Sequence, residues 1–319
     1  MAKRVLVLGG SYFIGRSIVK SLVYFNYEVT TLNRGNEVNL LSGVNNLIAD
    51  RNDEQQIKRA LEGKDFDYVI DVSAKNAEQI KMVVQSLEFS DLKKYVYIST
   101  SAVYDFEKCV QPIKEDDCLG GNDSWDEYKV NKLAGENYLI EQFKDTPIEL
   151  IILRPPYVYG KHNYLQRESL IFHHLVNDLP IYVPDAGETK IQFIYVNDLA
   201  HTVLNCLEQV CGNVAIYNVA NKQPITFNEW IHCCEEVTGK KAFLRYIDTK
   251  KTGINARDFF PFKNMDIVLD TTNAYEVSHK TIDFMLGLKE TYKWFKENEH
   301  TIFIEDNQLV GERRCAELI

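Results

Sequence analysis

The residues best suited to chemistry lie between Val96 and Lys132. Tyr128 and Lys132 stand four apart at the start of a helical pattern, which places them on one face of a helix. A phenol ordinarily titrates near ~10 and is a poor base at neutral pH. An ammonium one turn away favours the phenolate and suits the pair to proton transfer with an alcohol or a carbonyl. Upstream, Val96-Tyr-Ile-Ser-Thr-Ser-Ala-Val-Tyr104 reads as a strand with hydroxyls at its carboxyl tip, where Thr100 could hydrogen-bond the oxygen that Tyr128 protonates.

These groups need a second reactant, and the start of the chain supplies a place for one. Arg4-Val-Leu-Val-Leu-Gly-Gly-Ser-Tyr-Phe-Ile14 runs from a buried strand through a glycine-rich turn, and Gly15 opens an amphipathic helix. Small residues let the backbone approach a pyrophosphate, and the N–H groups and dipole of the helix N-terminus stabilise its charge. Gly9, Gly10 and Gly15 form the turn, with Tyr12 where a middle glycine is often found.

The elements that position these groups alternate. Strands are expected at Val5–Leu8, Glu28–Leu32, Asn46–Ala49, Tyr68–Val72, Tyr95–Ser99 and Glu149–Leu153, and helices at Ile14–Tyr24, Glu54–Leu61, Ala77–Leu87 and Tyr128–Phe143. Such alternation predicts an α/β fold of Rossmann type, a doubly wound parallel sheet. Gln192–Val196 and Ala215–Val219 are expected to return to the same sheet. The nucleotide-binding domain is therefore assigned to 1–160 plus about 192–220, and a smaller, discontinuous substrate-binding domain to 161–191 plus 221–319. Residues 302–319 read as an extra strand or a tail. Gly9–Tyr12, Asn33-Arg34, Asp50-Arg51, Val72–Ala74 and Thr100-Ser101 all follow strands and should converge on one crevice.

Composition narrows the class. The 319 residues are 45% hydrophobic and 26% charged, as in a globular protein. A net charge of −10 argues against general affinity for nucleic acid or anionic membranes. Seven cysteines without Cys-x-x-Cys spacing fit free thiols in a reducing, cytoplasmic setting. His232-Cys233-Cys234 and His173-His174 lack a second ligand pair, so no metal is expected. No run approaches the ~18 apolar residues that span a bilayer.

Five ordered motifs carry a resemblance. Gly9-Gly-x-x-Phe-Ile-Gly15, Ser99-Thr-x-x-Val-Tyr104, Tyr128-x-x-x-Lys132 and Leu153-Arg-Pro-Pro-x-Val-Tyr-Gly160 precede Phe193-Ile-Tyr-Val-Asn-Asp-Leu-Ala200, and Tyr217-Asn-Val-Ala220 continues the series. From about residue 4 to residue 295 the chain resembles the extended short-chain dehydrogenases/reductases of the NAD-dependent epimerase/dehydratase family. The resemblance implies hydride transfer at a hydroxyl or carbonyl of a sugar-like substrate, free or nucleotide-linked, by an epimerase or a reductase, and it suggests a homodimer. It makes Tyr128 the acid/base, with Thr100 orienting the reacting oxygen. Lys132 would lower the phenol's pKa and hold the nicotinamide ribose. Gly9, Ser11, Phe13 and Ile14 would line the pyrophosphate, while the phenol of Tyr12 points away from it. Asp50 and Arg51 would flank the adenine, and Ser73 and Ala74 the adenosine-side ribose and phosphates. Backbone from Pro155 through Tyr157 and Val158 would meet the nicotinamide amide.

Departures from the family pattern refine this. Asn33-Arg34 stands where NAD-specific members carry an acidic residue, and an arginine there can pair with a 2′-phosphate, so the expected cofactor is NADP, with NAD the alternative. Ser101-Ala102 replaces the Asp-Glu pair of the sugar-nucleotide dehydratases, which argues against elimination of water. Lys190-Ile191-Gln192 lacks the arginine that contacts the diphosphate in many nucleotide-sugar epimerases, which argues against a UDP-sugar. The variant turn, Asn33-Arg34-Gly35 and Phe260-Pro261-Phe262 also resemble a divergent subgroup that includes the chloroplast stem-loop RNA-binding proteins. That likeness sustains an alternative, a catalytically silent nucleotide-binding protein reused for RNA or protein interaction.

Overall fold

The structure is a computed structural model and describes residues 2–35, 41–120, 127–279, 281–301 and 306–318. Up to Arg154 it holds β1 (Arg4–Leu8), α1 (Phe13–Tyr24), β2 (Glu28–Asn33), β3 (Val44–Ile48), α2 (Glu54–Leu61), β4 (Tyr68–Asp71), α3 (Ala77–Val84), β5 (Lys94–Ile98), α4 (Glu127–Phe143) and β6 (Glu149–Arg154). There follow β7 (Tyr157–Tyr159), α5 (Arg167–Val176), β8 (Pro180–Pro184), β9 (Lys190–Ile191), β10 (Phe193–Tyr195), α6 (Val196–Glu208) and β11 (Val214–Asn218). The chain ends with β12 (Ile225–Thr226), α7 (Phe227–Thr238), β13 (Phe243–Ile247), α8 (Thr249–Thr252), α9 (Thr272–Val277), α10 (Phe284–Asn298) and α11 (Asp306–Ala316).

Seven strands form one parallel sheet in the order β11-β6-β5-β4-β1-β2-β3. Val5, Leu6, Val7 and Leu8 are fully buried, as a parallel strand covered on both faces by helices must be. Because every strand runs the same way, the turns after β1, β2, β3, β4 and β5 emerge on one edge, where such sheets hold ligands.

The chain divides into two compact units. The first is Met1–Pro156, Val196–Ala220 and Leu269–Thr281; the second is Tyr157–Tyr195, Asn221–Val268 and Ile282–Ile319. Three expectations need correction here. The strand expected at Gln192–Val196 does not enter the main sheet: β10 pairs with β7 in a sheet of two strands, and Val196 already begins α6. Its Phe193 stacks on Trp230 in the second unit's aromatic cluster, which also holds Phe262. Residues 269–281 belong with the first unit, since Leu269 bridges to Ile113 and the Ser278 hydroxyl accepts from Asn205. The end of the chain is helical. Gly311 of α11 lies so close to the Asp258 carbonyl that a Cβ would stand 1.9 Å from its oxygen, so the absence of a side chain lets the helix dock there. Residues 302–305 and 319 of that segment lie outside the described residues.

No helix among the described residues is long and apolar enough to cross a membrane.

Candidate active site

The turn after β1 is built for close approach. Gly9 has φ +91°, a left-handed conformation that favours glycine, and a Cβ on it would lie 2.4 Å from the Ser73 Cβ. At Gly15 a Cβ would stand 1.9 Å from the Gly9 carbonyl oxygen, so α1 can meet the turn only through a glycine. Tyr12 precedes α1 in extended conformation, supplies no side-chain cap and is 61% exposed. The first turn of α1 holds no acidic residue that would compensate its positive end. The Ser11 hydroxyl is buried and has no hydrogen-bond partner among the described residues. A buried hydroxyl in want of a partner, on a backbone without side-chain bulk, fits the diphosphate of a dinucleotide. Phe13 is buried and Ile14 half-buried at the helix start.

The next strand ends fix the cradle's flanks. Asn33 is spent on structure, donating to Asn46 Oδ1 at 2.6 Å and accepting from the Gly35 amide at 2.9 Å. Its neighbour Arg34 is exposed. Asp50 accepts from the amide and the side chain of Asn52 at 2.9 and 3.0 Å. Arg51, expected beside an adenine, instead turns inward. Its fork meets Asp71 at 2.6 and 2.7 Å, and Nη1 also donates to Ser73 Oγ at 3.0 Å. Ala74 is buried beyond this pair and gives its amide to Asp71 at 3.0 Å. Burial alone would raise the Asp71 carboxyl, but the Arg51 guanidinium outweighs it and holds the group below the usual carboxylate range.

The third strand end carries the reacting side. Thr100 accepts from the Ala102 amide at 3.2 Å and caps a short 3₁₀ turn over Ser101–Val103, leaving its hydroxyl proton to donate. Tyr128 is the second residue of α4 and 48% exposed, whereas Lys132 is buried one turn further on. The Lys132 ammonium donates to the Ile98 carbonyl at 2.8 Å and sits 4.7 Å from the centre of the Tyr97 ring. Burial pushes it down to about 8; Asp71 and Glu136 resist that fall, and Arg51 adds to it. Lys132 is thus a cation below about pH 8, with a carbonyl and a ring face as its neighbours and carboxylates acting only from a distance.

What orients α4 is a set of buried polar contacts that apolar periodicity cannot reveal. Its inward face holds Lys129, Lys132 and Glu136 before the apolar Leu139 and Phe143. Lys129 donates to the Tyr104 carbonyl at 2.7 Å. Glu136 takes the Arg154 fork at 2.6 and 3.1 Å, and Arg154 also donates to the Tyr104 hydroxyl at 2.9 Å. Asp71 and Glu136 are thus site-supporting residues that motif reading passed over, and Arg154, quoted there within Leu153-Arg-Pro-Pro, was given no role. For Asp71 and Arg154 the signal was a charged residue closing an apolar strand; Glu136, in the polar sequence of α4, carried none.

The expected nicotinamide-side residues fall in both units. Pro155 is buried and its carbonyl accepts from the Ser101 amide at 2.9 Å. Tyr157 and Val158 belong to β7 of the second unit, where the Tyr157 ring lies 4.7 Å from Phe262 and under Arg167.

Comparisons with known proteins bear on the fold and the family. The chloroplast stem-loop binding protein of 41 kDa b of Arabidopsis thaliana is 27% identical, over 91% of this chain and 78% of its own length. A putative UDP-glucose 4-epimerase of Methanocaldococcus jannaschii is 26% identical, over 93% of this chain and all of its own. Among solved structures, UDP-glucose 4-epimerase of Thermotoga maritima with UDP-glucose superposes with a TM-score of 0.79 at 20% identity, covering 93% of this chain and 99% of that one. The UDP-glucose 4-epimerase of Thermus thermophilus, solved with NAD, gives 0.72 at 20% identity, covering 92% and 99%. The model of one family accounts for residues 5–220, from the strand that opens the cradle to the residues just past β11. By that span the chain belongs to the NAD-dependent epimerase/dehydratase family.

Proposed function

We propose that the protein catalyses reversible hydride transfer at a hydroxyl or carbonyl of a sugar-like substrate, with Tyr128 as its acid and base. The observation that carries this reading is Lys132, a buried ammonium held at the carboxyl end of β5 one helical turn from Tyr128. A cation in that place lowers the cost of forming a phenolate, and its hydrogen bond goes to a carbonyl rather than to a neutralising carboxylate.

Gly9, Gly10, Ser11 and the N-terminus of α1 would hold the diphosphate of a nicotinamide dinucleotide, which supplies or accepts the hydride when bound. Arg34 would pair with a 2′-phosphate, which favours NADP over NAD, while Asp50, Ser73 and Ala74 would line the adenosine side. Lys132 would bind the nicotinamide ribose as well as steady Tyr128, and backbone at Pro155, Tyr157 and Val158 would meet the nicotinamide amide. Thr100 would donate to the substrate oxygen that exchanges its proton with Tyr128. The second unit would select the substrate.

The decisive experiment is to purify the protein and identify any bound nucleotide by absorbance and mass. Retained NAD would identify an epimerase, which removes and returns the hydride without exchanging its cofactor. An empty protein that takes up NADPH would identify a reductase. Failure to bind either nucleotide would overturn the proposal and favour the second reading, reuse of the fold for RNA or protein interaction, which the likeness to a stem-loop binding protein supports.

A further inference from the structure

One buried ion pair lies between the cradle and the reacting side and belongs to neither. Arg51 and Asp71 meet through two parallel hydrogen bonds with side chains 9% and 0% exposed. Asp71 is saturated with donors: besides Arg51, it accepts from the Ser73 and Ala74 amides at 3.2 and 3.0 Å and from the Tyr95 hydroxyl at 3.2 Å. Arg51 looks both ways. Toward the cradle, Nη1 holds the Ser73 side chain, the one that leaves no room for a Cβ on Gly9. Toward α3, Nη2 donates to the Gln79 carbonyl at 3.3 Å.

The other direction leads to Lys132. Asp71 is the register partner of Tyr97 across β4 and β5, and the Lys132 ammonium rests on that ring. The charged and titratable groups acting on Lys132 are Asp71 from β4, Arg51 from beyond β3 and Glu136 from α4 itself; the Tyr97 ring of β5 lies against it, and Tyr128 acts on Tyr97. Glu136 is paired with Arg154 as Asp71 is with Arg51, and of the two carboxylates Asp71 acts on Lys132 the more strongly.

We propose that Arg51 and Asp71 act as one positioning unit for both halves of the site: Arg51 fixes the Ser73 wall of the cradle, and Asp71 is the buried counter-charge of Lys132. The pair touches no reacting atom. A fork is required because only a planar guanidinium can engage both Asp71 oxygens and Ser73 together. This inference rests on the oxidoreductase reading for its cradle half alone.

The test uses the full chain labelled with ¹³C at lysine Cε, the Lys132 resonance being the one lost in Lys132→Met. Asp71→Asn removes a negative charge and should lower the pH at which Lys132 titrates. Arg51→Gln removes a positive charge and should raise it. Opposite displacements are something a merely structural pair would not produce. Should Asp71→Asn fail to fold, the double variant Arg51→Gln/Asp71→Asn leaves neither member of the pair charged without the other, and its Lys132 must titrate below that of Arg51→Gln alone. Arg51→Lys keeps the charge but loses the fork, so it should leave the Lys132 titration in place while weakening NADH or NADPH binding, followed by fluorescence, about tenfold. Unchanged or parallel titrations would overturn the electrostatic half, and wild-type nucleotide affinity in Arg51→Lys would overturn the cradle half. A wild-type protein that binds neither nucleotide would sink the oxidoreductase reading and the cradle half together, while the lysine titration, which needs no ligand, still decides the other half.

Discussion

Replacing Lys132 by methionine should change how the protein's stability depends on pH, and the size of the effect follows from its surroundings. The side chain is buried and burial holds it down to about 8, against 10.5 for an ordinary lysine. Between these values the unfolded chain carries a proton that the folded chain has lost, so stability rises with pH in that window. Below about pH 8 the buried ammonium costs the fold its full penalty, roughly 3 kcal/mol at ~1.36 kcal/mol per pKa unit. Lys132→Met fills the volume and cannot titrate. Wild type should therefore gain about 2.5 kcal/mol on the variant between pH 7 and pH 10, by integration of the two titrations. The hydrogen bond to Ile98 is lost at every pH and moves the offset, not the slope. Urea unfolding of both proteins at pH 7, 8, 9 and 10 measures the difference, and other titrating groups cancel. A difference that stays flat, or that shrinks for wild type as pH rises, would refute the reasoning, because Lys132 would then be as well solvated or paired folded as unfolded.

Four further outcomes follow from the geometry. Tyr128→Phe should lower kcat by about 10²–10⁴ while leaving nucleotide affinity within twofold, which steady-state kinetics and fluorescence titration would separate. Gly15→Ala drives a methyl into the Gly9 carbonyl and should destabilise the fold by about 1–3 kcal/mol in urea, with nucleotide binding lost as well. Arg34→Ala should weaken NADPH about tenfold and leave NADH unchanged; an equal loss for both would remove the 2′-phosphate assignment. Glu136→Gln leaves Arg154 charged and unpaired at 1% exposure and should cost about 3–5 kcal/mol in urea at pH 7, so a cost under ~1 kcal/mol would contradict the pairing.

What could be read from residue order was whatever is local. Val5–Leu8, the glycines and Ile18 to Leu22 declare strand, turn and helix because burial on both faces and a tight backbone leave few other choices. Tyr128 and Lys132 are legible because their relation is one helical turn. The rest depends on partners distant in sequence. Arg51 and Asp71 are twenty residues apart, and nothing local tells an arginine that lines a ligand from one that turns under the sheet. Phe193 to Tyr195 reads as a sheet strand by composition, yet its register partner is Tyr157 to Tyr159. Residues 306–316 carry a weak apolar pattern, and their docking depends on one glycine meeting one carbonyl.

The choice between enzyme and reused binding fold can be argued from the same lysine. A surface for RNA needs exposed positive charge on many residues, and this chain carries 46 acidic against 36 basic side chains. Lys132 contributes nothing to such a surface, being buried against the end of β5. Burial disfavours its charged form, which is held below the pH at which a lysine in water loses its proton. A buried ammonium one helical turn from a phenol, bonded to a carbonyl and to no carboxylate among the described residues, is what the role proposed for that phenol requires. If RNA binding exists in this chain, it must use other residues, and Lys132→Met should leave it intact while abolishing hydride transfer.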